Sequence, residues 1–443
     1  MHQVLILCSL LFALNRMSNL APQPELSGGE GLDGSTMIVG LNPALQKRFI
    51  LDSNLVPGNV HRAQRLEQGI GGKGQDGAVA LSCLLDSRDG KSSMSPFLLA
   101  QFVGSGSDGD TLMNLLQKQV PFSVQDSYLT VRTRTKLRIC TTIVASDSAT
   151  ELVEPSGLVE ADEMKQLLNH VNFLASSSSS CGKYSSTLRS FCVMGSMPPG
   201  CPIHTYADLA KLAVGQETII LIDAVVGLQP LIEELAKIRT KTAILKVNLS
   251  ELCHLAMDNT LIKNDKDSPT SCSPEKHVFA VVNSFLRKHK HARDALSHIA
   301  ITNGKEDSFL VSIKRSKNHD DPSNIFLAEP DVCIWKIPVP RLPENTLFFP
   351  IGAGDTVSAA LLVSLMHLKG NDPMFCLKEK IRRAINSVVS SYDLSLGGEV
   401  ACALSFGLSC ASASCLQTEN SVFDVDDALI LFLNMAKPSM LLH

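Results

Sequence analysis

Gly352-Ala353-Gly354-Asp355-Thr356, in a chain of 443 residues, opens a run of small and apolar residues, Val357-Ser358-Ala359-Ala360-Leu361-Leu362-Val363. A glycine-rich turn feeding such a run predicts a helix that starts at the turn. A helix N-terminus leaves several backbone N–H groups unpaired and pointing one way, and the helix dipole adds partial positive charge, so the place suits an anion such as phosphate. Asp355 puts a carboxylate at the same spot, where it would repel a phosphate unless it has work of its own. Its natural work is to accept a proton from a hydroxyl while the amides hold charge on a transferring phosphoryl group. The plain alternative is a helix start with an acid in its first turn.

Upstream, a unit recurs after residue 36: a short apolar run, a polar or glycine-bearing end, then a helical stretch. The runs are Met37-Ile38-Val39, residues 97–103, Phe191-Cys192-Val193-Met194, residues 218–222, Ala243-Ile244-Leu245 and His298-Ile299-Ala300-Ile301. Continuous apolar runs without alternation predict strands buried on both faces, and helices between them predict right-handed crossovers in a parallel sheet. Just past the runs stand Asn42, Gly104, Gly195-Ser196, Asp223, Asn248 and Thr302-Asn303-Gly304. Ligands of open parallel sheets bind outside the carboxyl ends of the strands, so this series points to an active-site edge.

Residues 47–69 and 131–155 instead alternate polar and apolar, as strands covered on one face do. Within 131–139, Arg132, Arg134, Lys136 and Arg138 fall on one face by the period of two. They form either a solvated edge face or a clamp for a phosphorylated substrate. Loop insertions are expected at about 175–188, 257–276 and 315–324. Residues 1–35 hold an apolar stretch, Val4 to Leu14, too short to span a membrane. They read as a targeting leader or an N-terminal extension, leaving one domain over 36–435 and a cytoplasmic or plastid setting.

Hydrophobic content of 44% and charged content of 19% are globular values. A net charge of -4 gives no reason to expect nucleic-acid binding, and no segment reads as transmembrane. The 13 cysteines are scattered without a metal-type cluster and read as reduced thiols. Gly104-Ser105-Gly106-Ser107-Asp108-Gly109 matches a dinucleotide fingerprint, but it follows a later strand and lacks the downstream acid. Gly71-Gly72-Lys73-Gly74 is a poor P-loop, since Gly74 replaces the serine or threonine and Glu67 the leading glycine. His289-Lys290-His291 reads as a solvated helix face rather than a metal site.

Taken in order, Leu41-Asn42-Pro43-Ala44-Leu45, Gly71-Gly72-Lys73-Gly74, residues 133–138, Thr150-Glu151, residues 195–200, Lys246-Val247-Asn248-Leu249-Ser250-Glu251 and Gly352-Ala353-Gly354-Asp355 resemble the PfkB/ribokinase family of sugar kinases. The look is nearest to the 1-phosphofructokinase and tagatose-6-phosphate kinase branch. The resemblance implies a three-layer α/β/α ribokinase-like fold with a mostly parallel central sheet and a small β-sheet lid, and a homodimer through that lid. It implies transfer of the ATP γ-phosphoryl group to a hydroxyl of a sugar or sugar phosphate. Asp355 would be the base, ionised with a pKa of about 4, and the amides of Gly352, Ala353 and Gly354 the anion hole. Asn248 and Glu251 would organise Mg²⁺ through water, with Lys246, Thr302 and Gly304 along the nucleotide phosphates. Asn386 and Phe406-Gly407-Leu408-Ser409 would stand by the adenine. Asn42, Ser196 and the Gly71-Gly72-Lys73 turn would approach the sugar, and Arg138 with Arg134 or Lys136 its existing phosphate.

Five positions depart from the family pattern. Gln46 stands where an aspartate usually holds sugar hydroxyls, and Asp76 where an asparagine is usual. Phe349-Pro350 precedes the GAGD turn in place of Asp/Asn-Thr, and Val153 replaces an asparagine. The acceptor side is therefore reworked while the phosphoryl-transfer side is intact. A free-sugar or nucleoside kinase of the same fold, and a non-catalytic scaffold, are the alternatives.

Overall fold

All six apolar runs are strands in the computed structural model, which describes residues 36–86, 97–120, 129–145, 148–177, 188–256, 273–314, 332–342, 348–370, 377–394 and 397–442. Residues 1–35 and the expected loop at 315–324 lie outside the described residues, as do 178–187 and 257–272 of the other two. The large sheet contains β1 (Thr36–Val39), β4 (Phe97–Ser105), β5 (Thr130–Lys136), β8 (Ser190–Met194), β9 (Ile219–Asp223), β10 (Thr242–Asn248), β11 (His298–Thr302), β12 (Ser308–Ile313), β13 (Val332–Ile337) and β14 (Ser439–Leu442). Its ten strands run in the order β14-β13-β12-β11-β10-β9-β8-β1-β4-β5. From β5 to β11 neighbours are parallel, and β12, β13 and β14 are added antiparallel. A second sheet has the order β3-β2-β6-β7, with β2 (Ala44–Ile50), β3 (Arg65–Gly71), β6 (Ile139–Val144) and β7 (Ala149–Val153).

Helices cover both faces of the large sheet. On one lie α1 (Lys73–Leu84), α2 (Ser107–Gln119), α9 (Ala353–Leu368), α10 (Glu379–Val389), α11 (Gly398–Ser414) and α12 (Val425–Asn434). On the other lie α3 (Ala161–Ser177), α4 (Thr205–Ala213), α5 (Leu228–Ile238), α6 (Leu249–Ala256), α7 (Pro274–Lys288) and α8 (Ala292–Ala295). Strand β1 shows why its sequence is apolar without alternation: Ile38 enters the first core, and Met37 and Val39 enter the second.

Several details differ from the sequence expectation. Residues 131–155 are not one sheet, because β5 pairs with β4 in the large sheet while β6 pairs with β2 in the small one. The chain crosses between them at Leu137-Arg138. Residues 175–177 end α3, and 274–276 start α7, where Ser273 caps the helix and Pro274 fills its first turn. The chain goes on past residue 435 to β14, which pairs with the edge strand β13. His289 is buried rather than solvated, its ring 4.6 Å from that of Phe285. Two glycines of the dinucleotide-like stretch serve packing: a Cβ at Gly104 would fall 2.1 Å from Leu137 N, and one at Gly109 1.9 Å from the Gly104 carbonyl. Among the described residues no helix is long and apolar enough to cross a membrane, and none group into a metal-type cluster.

Strand β1 sits between β4 and β8, so successive strands are laid down on opposite sides of it. That switch point opens a crevice at the carboxyl ends of β1, β8, β9 and β10.

Candidate active site

A cleft of about 500 Å³ occupies this crevice, roofed by the small sheet. Asn42 and Gln46 reach it from the β1–β2 segment, Lys73 and Asp76 from α1, and Ser196 from the end of β8. Glu251 enters from α6, and Gly352 and Asp355 from the start of α9. The tight turn before α1 exists because its first residues press on the end of β1. A Cβ at Gly74 would fall 2.4 Å from Gly40 Cα, so only glycine lets Lys73 stand where it does.

The charged centre is Asp223, the last residue of β9, only 1% exposed. Lys73 Nζ donates to its Oδ1 at 2.9 Å, and Lys246 Nζ donates to its Oδ2 at 2.8 Å. Ser358 Oγ, one turn into α9, donates to the same Oδ2 at 2.7 Å. Burial alone would raise the Asp223 carboxyl, but the two ammonium groups outweigh it and lower it to about 2. Lys73 loses solvation too, yet Asp223, Asp355 and Glu251 hold its ammonium above the usual lysine range. In the sequence Asp223 stands out only as a strand end, with nothing local that assigns it to the site. Its partners come from positions 150, 23 and 135 residues away along the chain.

Asp355 is 8% exposed, and its pKa is not the ordinary one expected from sequence. Burial, and then the charge of Asp223, raise it to about 7, against the pull of Lys73 and Lys246. The anion hole also differs from expectation. Ala353 N–H donates to the Pro350 carbonyl at 3.2 Å and is spent on the turn. The N–H groups of Gly354 and Asp355 have no backbone partner among the described residues, and they are the free donors of the first helical turn. Gly352, at φ 80, is the N-cap.

Asn248 and Glu251 lock one another. Glu251 N–H donates to Asn248 Oδ1 at 2.8 Å, and Asn248 N–H donates to Glu251 Oε2 at 2.9 Å, a reciprocal cap at the start of α6. The remaining oxygen, Oε1, faces Lys73 at 3.7 Å. Oxygen donors of this kind suit a hard divalent cation held through water.

On the acceptor side, Asn42 Nδ2 donates to Ser196 Oγ at 3.0 Å, and Gln46 Nε2 donates to Thr142 Oγ1 at 2.6 Å. Gly71 packs on Gln46, its hypothetical Cβ 3.3 Å from Gln46 Oε1. Asp76 is 4% exposed and its Oδ1 has no partner among the described residues. Burial and the Asp355 charge hold its carboxyl well above the usual range, against Asn420 and Arg48. Arg138 lines the cleft and donates to the Asn42 carbonyl at 2.7 Å.

The cations of β5 do not join it. Arg134 forks onto Asp162 of α3, and Lys136 stands 4.0 Å from Glu154, both side chains mostly exposed. Asn386 pairs with His367 at the far end of α9, twelve residues and about 18 Å of helix beyond Asp355. Phe406, Leu408 and Ser409 are buried within α11. Thr302 stands in register beside Asn248, and Gly304 follows in an open turn at φ 61. Besides Asp223 beneath it, the cleft gains Glu151, which stands in one of the family-like stretches but had no role assigned, and Asn420, which no local pattern marks.

Compared with known proteins, residues 44–423 match the model of the pfkB family of carbohydrate kinases. The fold is similar to phosphofructokinase-2 of Escherichia coli in complex with fructose-6-phosphate, at TM-score 0.55 and 17% identity over 90% of this chain and 98% of that one. A protein described as a possible 1-phosphofructokinase of Thermotoga maritima gives 0.57 and 15% over 92% and 98%. Ribokinase of Thermotoga maritima gives 0.51 and 14% over 90% and 99%. At these identities the likeness speaks to the fold, which is ribokinase-like. With the family model spanning most of its length, the chain belongs to the pfkB family of carbohydrate kinases.

Proposed function

We propose that the protein transfers the γ-phosphoryl group of ATP to a hydroxyl of a sugar or sugar phosphate at this cleft. The observation that carries the reading is Asp355, buried beside the free amides of Gly354 and its own N–H, with Lys73 and Lys246 held by Asp223. Asp355 would take the proton of the acceptor hydroxyl as its oxygen bonds to phosphorus, and the bond to the ADP oxygen breaks. A pKa raised to about 7 matches a base that works near neutral pH. The free amides and Lys73 would hold the charge on the moving phosphoryl group. Magnesium would neutralise phosphate charge there, and Glu251 with Asn248 are the residues that would hold it through water.

For a sugar phosphate, Arg138, the one cleft-lining guanidinium among the described residues, supports recognition of the existing phosphate. A second reading, a free sugar, draws on the lining's charge: Asp76, Glu151, Glu251 and Asp355 stand against Lys73 and Arg138. Phosphotransfer assays over hexoses, pentoses and their phosphates test both readings; no transfer to any of them removes the proposal. Exposed Leu66 and Leu152 on the small sheet, with Val60 in the segment between β2 and β3, support pairing of two copies through it, which light scattering tests.

A further inference from the structure

We propose that Arg48 of the small sheet is a positioning residue for the Gly352 turn, acting through the segment 418–421. The inference rests on the kinase reading of the cleft. Arg48 projects from β2 on the same face as Gln46, two residues away, and is 2% exposed. Its Nη1 donates to the Thr418 carbonyl and, at 3.1 Å, to Asn420 Oδ1. Room for the guanidinium comes from Gly69 on β3, where a Cβ would stand 2.8 Å from Arg48 Nη2. Asn420 Nδ2 in turn donates to the Ile70 carbonyl at 3.5 Å, and Asn420 lines the cleft together with Asp76. The next residue, Ser421, adopts a left-handed φ of 57 and donates its Oγ to the Gly352 carbonyl at 2.9 Å. That carbonyl also accepts from Thr356 N–H at 2.9 Å and Thr356 Oγ1 at 3.0 Å.

The contact is rigid. A Cβ at Gly352 would lie 2.6 Å from Ser421 Oγ and 3.1 Å from its backbone nitrogen. Segment 418–421 therefore cannot shift without moving the Gly352 peptide, and with it the aim of the amides and carboxylate that follow. Arg48 reaches Thr418 and Asn420 only while the small sheet sits down over the cleft. A guanidinium is costly to bury, with Glu67 at 3.6 Å as its one ion partner among the described residues, and donation from Nη1 to two acceptors is what gives that burial a geometric purpose. The sheet that touches the acceptor is thus wired to the turn that receives the phosphoryl group.

The test uses full-length Arg48→Met, Arg48→Lys and Asn420→Ala, with hydrogen exchange read by mass spectrometry and steady-state kinetics on the acceptor that the phosphotransfer assays identify. Arg48→Met is expected to speed exchange roughly tenfold in peptides covering both 415–423 and 349–357, with 219–232 unchanged. The kcat should fall roughly 10- to 100-fold, with KM for ATP within about threefold, because the turn is misplaced rather than its binding lost. Arg48→Lys should recover part of the loss, since an ammonium can donate to the same acceptors but sits on a shorter side chain without the planar guanidinium. If Arg48→Met does not fold, Asn420→Ala carries the same expectation, with Arg48 keeping its Thr418 bond. Faster exchange confined to 415–423, or an unchanged kcat, overturns the linkage. A wild-type protein that transfers no phosphate would instead refute the kinase reading, and the exchange pattern would still decide whether Arg48 holds the turn.

Discussion

Asp223→Asn removes the charge that ties the two lysines to the floor of the cleft. The Lys73 side chain is 38% exposed, so solvent screens its half of the network, and the cost rests on Lys246, whose side chain is 5% exposed. Leaving a buried ammonium without its carboxylate costs about 3–5 kcal/mol. Unfolding entropy near 2.1 cal/mol/K per residue gives roughly 0.9 kcal/mol/K for this chain, so Tm should fall by about 3–5 °C. A second effect follows at Asp355. Asp223 is the charge that, after burial, most raises Asp355, so its removal lowers the pKa of the base. Differential scanning calorimetry reads the first effect, and the pH dependence of kcat/KM reads the second. A Tm within about 1 °C of wild type, or an acid limb that stays where it was, would refute the reasoning.

In the wild-type protein kcat/KM should drop about tenfold per pH unit below about 7, because Asp355 must be ionised to take a proton, and level off above it. A limb near pH 4 would mean the carboxylate is not desolvated in solution. Gly352→Ala should destabilise by roughly 1–3 kcal/mol, from a left-handed φ of 80 and a Cβ 2.6 Å from Ser421 Oγ, as urea titration would show. Arg138→Gln should raise KM for a phosphorylated acceptor roughly 10- to 100-fold while leaving a free sugar within about threefold. Equal effects on both would count against a phosphate anchor at that position.

Six of the ten strands of the large sheet were legible because they are buried on both faces, which writes an apolar run into each. Strands β12, β13 and β14 were not read as strands, and β5, exposed at every other position, read as part of the lid. The reciprocal cap of Asn248 and Glu251 and the glycine turns before α1 and α9 were equally local. What escaped was set by contacts distant in sequence. Period-two alternation put Arg132, Arg134, Lys136 and Arg138 together, but the crossing at Leu137 splits them. Asp162 on α3 takes Arg134, and only Arg138 turns into the cleft. The expectation of an ordinary carboxylate at Asp355 failed because burial and Asp223 decide its pKa, and neither is a property of the GAGD turn. Ala353 likewise looked like an anion-hole donor until Pro350 was seen to accept its N–H. Asn386 and His289 have polar side chains whose surroundings no window of neighbours reveals.

The central claim is that Asp355 takes the acceptor proton. Replacing it with asparagine keeps the shape of the turn and removes the base, so the decisive measurement is transfer from γ-labelled ATP beside calorimetric ATP binding in the presence of magnesium. The expected result is a kcat lower by roughly 10²–10⁴-fold with ATP affinity retained. Asp355→Asn with wild-type turnover would contradict it.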